Sequence, residues 1–408
     1  LTVQLVTRFQ NHFGNDVAIL HSRLSAGEKY DEWRKIERDE VSIVIGARSA
    51  VFAPLSNIGV IIIDEEHEAT YKQENSPRYH AYDISLFRAK RHKAKILLGS
   101  ATPSLESYAR AKIGYYGLLE LKNRINGKDL PKVHIVDMKE SIKKGHRLIS
   151  SKLIEGIQER LEKKEQIMIL LNRRGYSNYL ICSDCGYAYK CPSCDITMTY
   201  HKTSDTLRCH YCGYADKRRI ECPECHAKGL KDFGVGTEKI EEELNKMFDG
   251  IRIVRMDLDT TTTKGAHSKI IKDFNNYKYD LLLGTQMIAK GLDFGRVSLV
   301  GVINADMGLN IPDFRSSERT FQLLNQVSGR SGRKDIEGEV ILQTFNNDHY
   351  VIENVKNHDY IGFYNNEIKI RKRLFYPPFC FISLVRILSS DYEYGFEVSK
   401  KIGIYLRK

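Results

Sequence analysis

Short runs of β-branched and aliphatic residues alternate with amphipathic stretches of helical period along most of the chain. That alternation predicts parallel α/β sheets, because helices must cross between parallel strands. In the first part the expected strands are Val17–His21, Val41–Ile45, Ile58–Asp64 and Lys95–Gly99. A second series begins at Ile167–Leu171 and resumes with Ile251–Met256, Leu281–Gly284, Leu299–Asn304 and Glu339–Thr344. The opening residues, Leu1–Arg8, read as an amphipathic helix without the charged start and apolar centre of a signal peptide. The polar stretch Lys122–Gly145 reads as a connector. Beyond Tyr350 the tail reads as the start of an α+β C-terminal domain, in which Tyr376-Pro377-Pro378-Phe379 opens a strand over Cys380–Leu388. The expected organisation is therefore a first lobe over 1–121 and a connector over 122–150. A second lobe spans 151–181 and 229–350, with an insertion over 182–228, and a further domain begins at 351–408.

The insertion holds eight of the nine cysteines, in four C-x-x-C pairs: Cys182/Cys185, Cys191/Cys194, Cys209/Cys212 and Cys222/Cys225. Such turns aim two sulfurs at one tetrahedral ion, so eight thiolates fill two structural Zn2+ sites. The inner pairs have the spacing C-x2-C-x14-C-x2-C. The spacing leaves the pairing open and favours a nested arrangement, with Cys191, Cys194, Cys209 and Cys212 on one ion and the outer pairs on the other. Thiols kept free for metal imply a cytoplasmic setting; a disulfide framework would need an export signal. Cys380 stands apart and reads as a core residue. The net charge of +11 and pI of about 9.0 favour a polyanionic partner. No apolar run is long enough to span a membrane.

Candidate chemistry lies at strand ends, where parallel sheets bind ligands. Ile61-Ile62-Ile63-Asp64-Glu65-Glu66-His67 is an apolar strand ending in acids. There Asp64 can hold Mg2+ through its water shell, and Glu65 can polarise an attacking water. Gly99-Ser100-Ala101-Thr102-Pro103 offers hydroxyls that link acids to a second lobe, although Ser and Thr also serve as helix caps. In Gln326-x-x-Gly329-Arg330-x-Gly332-Arg333 the guanidinium forks suit phosphate oxygens. Gly284-Thr285-Gln286, continuing through Lys290, Gly291 and Asp293, can touch nucleic-acid backbone and nucleotide together. Between the first two motifs, Tyr71-Lys72-Gln73-Glu74-Asn75-Ser76-Pro77-Arg78-Tyr79-His80 interleaves rings with bases, a pattern that suits single-stranded DNA. Tyr187, Tyr189, Tyr200, Arg208, His210 and Arg219 of the cysteine block are either a contact face or an ordinary solvated one. Singly, each motif also fits a plainer role: solvated acids, a cap, a basic turn, packed tyrosines.

Together these residues resemble the PriA family of bacterial replication-restart DNA helicases in superfamily 2. The resemblance runs from Leu1 to about Cys380. It rests on Asp64–His67, Gly99–Ser104, Leu171-Asn172-Arg173-Arg174-Gly175-Tyr176, the four cysteine pairs, Gly234–Glu238 and Thr320–Arg333, in that order. It implies two RecA-like lobes, ATP with Mg2+, and 3′→5′ unwinding at stalled forks followed by primosome assembly. It implies catalytic roles for Asp64, Glu65, His67, Gln326, Arg330 and Arg333. Nucleotide contacts are implied for Ser100, Thr102, Gly291 and Asp293. DNA contacts are implied for Tyr71, Lys72, Arg78, Tyr79, His80, Arg173, Arg174, Thr285, Gln286 and Lys290. The implied partners are primosome proteins, single-strand-binding protein and loaders of the replicative helicase, around a monomer. The chain departs from the family in one respect: it has no G-x-x-x-x-G-K-[ST] phosphate loop. Lacking also an initiator Met, it is expected to be an internal fragment that hydrolyses ATP poorly alone. A DNA-binding assembly platform with a vestigial ATP site is the alternative.

Overall fold

The computed structural model describes residues 3–21, 24–121, 130–172, 179–201, 204–228, 230–232, 236–257, 259–261, 263, 265–289, 294–332 and 336–406. In chain order the first lobe comprises α1 (Val3–Phe13), β1 (Val17–Leu20), α2 (Ala26–Glu37), β2 (Ile43–Gly46), β3 (Val60–Ile63), α3 (Ala81–His92), β4 (Lys95–Leu98) and α4 (Leu105–Lys112). β1 pairs with β2, and β3 with β4, both parallel, as two separate pairs. Helix starts follow the local chemistry. Ser25 and Glu28 close a capping box on α2, and Ser104 caps α4.

The second lobe is built on β5 (Lys132–Asp137), α5 (Met138–Lys143), α6 (Ser151–Glu162) and β6 (Gln166–Leu171). The cysteine-rich insertion adds β7 (Leu180–Cys182), β8 (Thr199–His201), β9 (Thr206–Arg208), β10 (Ala215–Lys217) and β11 (Leu230–Asp232). The lobe then resumes with α7 (Thr237–Met247), β12 (Ile253–Met256), α8 (Ala266–Asn275), β13 (Leu281–Gly284), β14 (Val297–Ile303), α9 (Ser316–Ser328) and β15 (Glu339–Thr344). Three helices follow: α10 (Tyr350–Lys356), α11 (Tyr360–Arg373) and α12 (Tyr392–Leu406).

Six of these strands form one parallel sheet in the order β12-β13-β6-β14-β15-β5. Every residue of β6, β13 and β14 is buried, as expected of a sheet covered on both faces. Alternation sorts their side chains. Met168, Leu170, Leu282 and Val300 face one core, and Ile167, Ile169, Leu283 and Leu299 face the other. α6 and α7 cover the second core through Leu153, Ile157, Ile240 and Leu244. The first core is covered by α8 and α9, and also by Leu105 and Tyr108 of α4, so the first lobe's last helix packs on the second lobe.

Four expectations are corrected. The stretch read as a connector contains β5, the edge strand of the second sheet, whose polar residues sit on the less covered edge. The helices after Tyr350 do not open a separate body there: Val351, Ile352, Val355 and Phe363 belong to the second lobe's core. No strand forms over Cys380–Leu388; residues 381–389 have no regular structure. An apolar run needs a neighbouring ladder to satisfy its backbone, and among the described residues none pairs with it. Cys380 is only partly buried, and its thiol reaches the Phe375 carbonyl at 2.9 Å.

Candidate functional site

Strands β3 and β4 deliver the two first-lobe motifs side by side. The parallel pairing runs past the strand ends, with Glu66 N–H donating to Gly99 O (3.0 Å) and Gly99 N–H to Ile63 O (2.9 Å). Asp64 is exposed and Oδ1 accepts the Glu65 N–H at 3.0 Å. Glu65 turns the chain with φ +47°. His67 Nδ1 lies 2.7 Å from Ser100 Oγ and 3.6 Å from Glu65 Oε2. Ser100 Oγ in turn accepts the Thr102 N–H at 3.0 Å. Glu66 points the other way and holds the start of α4, accepting from Ser104 N–H (2.6 Å), Ser104 Oγ (3.1 Å) and Ser107 Oγ (3.0 Å).

Helix α9 faces these groups from the second lobe. Gln326 Nε2 donates to Glu65 Oε1 at 3.5 Å, and Gln322 Nε2 to Thr102 O at 3.4 Å. Thus Asp64, Glu65, His67, Ser100, Thr102 and Gln326 lie along one seam between lobes. Arg330 lies on the second-lobe side, where Nε donates to Ala289 O at 3.0 Å in the loop after β13. Arg333, Lys290, Gly291, Asp293, Arg173 and Arg174 lie outside the described residues.

The ring-and-base loop is more tightly built than its sequence implies. Tyr71 hydroxyl donates to Asp64 O at 2.6 Å; burial, then the Asp64 charge, pushes its pKa up to about 12. His80 caps α3 by accepting the Tyr82 N–H, and burial lowers its pKa. Tyr79 packs edge-on to Phe52 at 4.9 Å. Of the loop residues expected to meet DNA, Lys72 and Arg78 are the exposed ones. Tyr71, Tyr79 and His80 are partly buried and have structural partners.

Sequence reasoning missed Arg48. Its Nη1 donates to the carbonyls of Thr70 and Lys72, both at 2.8 Å, and its Nη2 to Gln73 Oε1 at 2.9 Å. Its guanidinium also lies 5.7 Å from the Tyr79 ring. The available signal was Gly46-Ala47-Arg48 at the end of an apolar strand. Gly46 is required there, because a β-carbon would lie 2.1 Å from Ala50 Cβ and 2.7 Å from Leu20 O. Asn172 is a second omission. With Arg48, Lys72, Gln286, Thr320 and Gln326 it lines an inter-lobe cleft of about 530 Å³. Gln286 Nε2 reaches Asn172 Oδ1 at 3.5 Å. Thr285 closes the end of β13, with its N–H on Met256 O at 3.4 Å.

The cysteines pair as expected from their spacing: Cys182, Cys185, Cys222 and Cys225 form one cluster, and Cys191, Cys194, Cys209 and Cys212 the other. Four turns repeat one geometry. The residue after each second cysteine, Gly186, Asp195, Gly213 or His226, has positive φ and returns its N–H to the first cysteine's carbonyl at 2.9 Å. Sulfurs from opposite turns lie 3.5–3.6 Å apart. A tetrahedral ion with Zn–S bonds near 2.3 Å needs roughly 3.8 Å. Thiolate chemistry and spacing therefore both fit structural zinc. The surrounding face divides: Tyr189 and Tyr200 are buried, whereas Arg208, His210, Lys217 and Arg219 are exposed.

Residues 1–111 match the DEAD/DEAH box helicase family, and residues 233–335 match the helicase conserved C-terminal domain. Two parallel lobes with an acidic strand end facing α9 thus define a helicase-class core. Residues 191–217 match the PriA DNA helicase Cys-rich region domain. The chain is 52% identical to replication restart protein PriA of Bacillus subtilis (strain 168), over 100% of this chain and 51% of that one. It is 45% identical to the protein of the same name from Synechocystis sp. (strain ATCC 27184 / PCC 6803 / Kazusa), over 98% and 49%. Over its whole length the chain is similar to these PriA proteins, and it spans about half of their length. It also resembles the structure of RecG bound to a three-way DNA junction, with a TM-score of 0.45 and 15% identity over 91% of this chain and 41% of that one.

Proposed function

We propose that the full-length protein is an ATP-dependent 3′→5′ DNA helicase that acts at stalled replication forks and promotes primosome assembly. The supporting observation is the contact between Glu65 and Gln326, which places a candidate water-polarising carboxylate of one lobe against α9 of the other. In this reading Asp64, exposed at the strand end, holds the Mg2+ that accompanies ATP, and Mg2+ supplies charge neutralisation at the phosphates. Glu65 orients water, and His67 with Ser100 connects that carboxylate to the seam. Gln326 reports nucleotide state to α9. Arg330 and Arg333 stabilise charge on the γ-phosphate when the lobes close, which requires Arg330 to leave the Ala289 carbonyl.

DNA runs through the cleft lined by Arg48, Lys72 and Gln286, and Arg78 extends the basic rim. The exposed bases of the zinc module meet the fork. Residues 1–121 act as the first lobe, and β5 to β6, α7 to β15, α10 and α11 act as the second. The zinc module occupies 182–228. Free thiolates suit a cytoplasmic protein, and primosome proteins, single-strand-binding protein and helicase loaders are the partners. No helix among the described residues is long and apolar enough to cross a membrane.

The test is fork-stimulated ATP hydrolysis by the full-length protein and by this chain, with matched DNA and RNA tails. Stimulation by DNA in the full-length protein supports the reading. Equal stimulation by RNA overturns the substrate, and no hydrolysis in either form moves the function to a DNA-binding platform. Arg333→Ala in the full-length protein is expected to lower turnover roughly a thousandfold, the scale of a lost arginine finger.

A further inference from the structure

A buried ion pair joins the hydrolytic seam to the zinc module. Glu318 of α9 accepts the Leu105 N–H, the first of α4, at 2.9 Å through Oε1. Its Oε2 accepts from Arg371 Nη2 of α11 at 2.8 Å. Both residues are almost inaccessible, at 4% and 1% exposure, so water cannot replace either partner. Arg371 commits its remaining donors too, Nε to Glu367 Oε1 (2.9 Å) and Nη1 to Pro377 O (3.1 Å).

From Arg371 the contacts continue to the module. Its guanidinium lies 4.9 Å from the Phe314 ring, and Phe314 stacks on Tyr376 at 5.0 Å and 16°. Tyr376 hydroxyl donates to Cys194 O at 3.3 Å, and Tyr211, beside Cys212, meets Tyr376 edge-on at 6.1 Å. At the other end, the α4 N-terminus is shared with Glu66 of the acidic strand end, through Ser104. Tyr360 of α11 adds a bond to Pro103 O at 2.9 Å. The path therefore runs through successive side-chain contacts from a zinc ligand's carbonyl to the loop after Ser100 and Thr102.

We infer that Arg371 is a positioning residue: through Glu318 it couples the seating of the zinc module to the placement of α4, and hence of the motifs that act on ATP. This inference rests on the helicase reading above. It predicts that DNA engaged by the module alters hydrolysis through α9 and α11, not only through the cleft.

The experiment uses full-length, zinc-loaded protein and two measurements. The first is amide hydrogen exchange at Leu105 before and after zinc chelation. Wild type is expected to show a rise of about tenfold or more at Leu105, with none in β6. In Glu318→Leu/Glu367→Gln/Arg371→Met, which removes the acceptor of the Leu105 N–H and all three charges so that none is left buried alone, Leu105 exchanges fast from the start and chelation adds nothing. The second is ATP turnover with and without forks. The triple variant and Tyr376→Leu, which breaks the path without touching a charge, should each lose about tenfold of the fork stimulation in kcat while KM for ATP is unchanged. Arg371→Lys, able to satisfy only part of the guanidinium's bonds, should recover part of it. No response at Leu105 to chelation in wild type overturns the coupling, as does an equal response in the triple variant. If wild type hydrolyses no ATP, the helicase reading fails, and the exchange result alone then decides the coupling.

Discussion

Gly186 lies so close to Phe345 that a β-carbon on the glycine would sit 2.3 Å from Phe345 Cβ and 2.7 Å from its Cγ. One residue belongs to a cysteine turn and the other follows β15, so this contact seats the zinc module on the second lobe. The glycine's φ of +77° adds a backbone requirement to the spatial one. Gly186→Ala is expected to destabilise the docked module by about 1–3 kcal/mol, the cost of overpacking. Urea unfolding followed by amide exchange over 182–228 measures it. Zinc content should stay unchanged, because no ligand is removed.

Metal should hold the module together. Its two four-cysteine clusters stand around small antiparallel strands, β8–β9–β10 and β7–β11, with a modest core that includes four of the cysteines themselves. Chelation is expected to release about two zinc ions per chain and to unfold this segment, since structural zinc supplies folding free energy. Metal analysis of anaerobically purified protein and circular dichroism check it. A ratio near zero with the fold intact would contradict it. Cys212→Ser should release one ion and leave the Cys182/Cys185/Cys222/Cys225 site filled.

Arg48 holds the ring-and-base loop by three hydrogen bonds to uncharged acceptors. Arg48→Ala should raise the opening equilibrium of residues 69–73, by the roughly 1.5–3 kcal/mol typical of one charge-assisted bond, since solvent replaces the others. Limited proteolysis and exchange at Gln73 read the change. In the full-length protein, DNA stimulation of ATP turnover should fall with it, while DNA-independent turnover holds.

His349 gives a pH prediction. Its Nδ1 accepts the Val351 N–H at the start of α10, and its ring stacks on Tyr350. Burial, and then Lys190, lower its pKa from 6.5 to about 4, with Asp195 opposing. The folded chain therefore resists a proton that the unfolded chain accepts. The stabilisation is full above pH 6.5 and is lost as pH falls towards 4, by at most about 3 kcal/mol. Stability measured across that window should slope accordingly. His349→Asn, which keeps a capping acceptor, should flatten the slope.

Much of the site was legible in the sequence because it is local. Short continuous apolar runs marked β3, β4, β6, β13 and β15 to within a few residues, and the acids and hydroxyls of Asp64–His67 and Ser100–Thr102 stood at strand ends. The fourteen residues between the inner pairs favoured the nested cysteine pairing that the structure shows. Two of the four turns carried glycine at the left-handed position, while Asp195 and His226 filled it without that signal.

What only the tertiary structure decided lies between residues far apart in the chain. Gln326 meets Glu65, Glu318 caps a contact with Leu105, and Phe345 selects glycine at 186. β5 became an edge strand, and α10 and α11 joined the second core, because sheet order and helix cover are set by which surfaces remain to be buried. The residues of Cys380–Leu388 have strand composition and no ladder. By itself the sequence determined the periodic elements, the metal ligands and the order of motifs, because each depends on neighbours within a few residues. The partners of Arg48, Glu318 and Arg371 were decided by packing, because a buried charge has meaning only once the groups that surround it are in place.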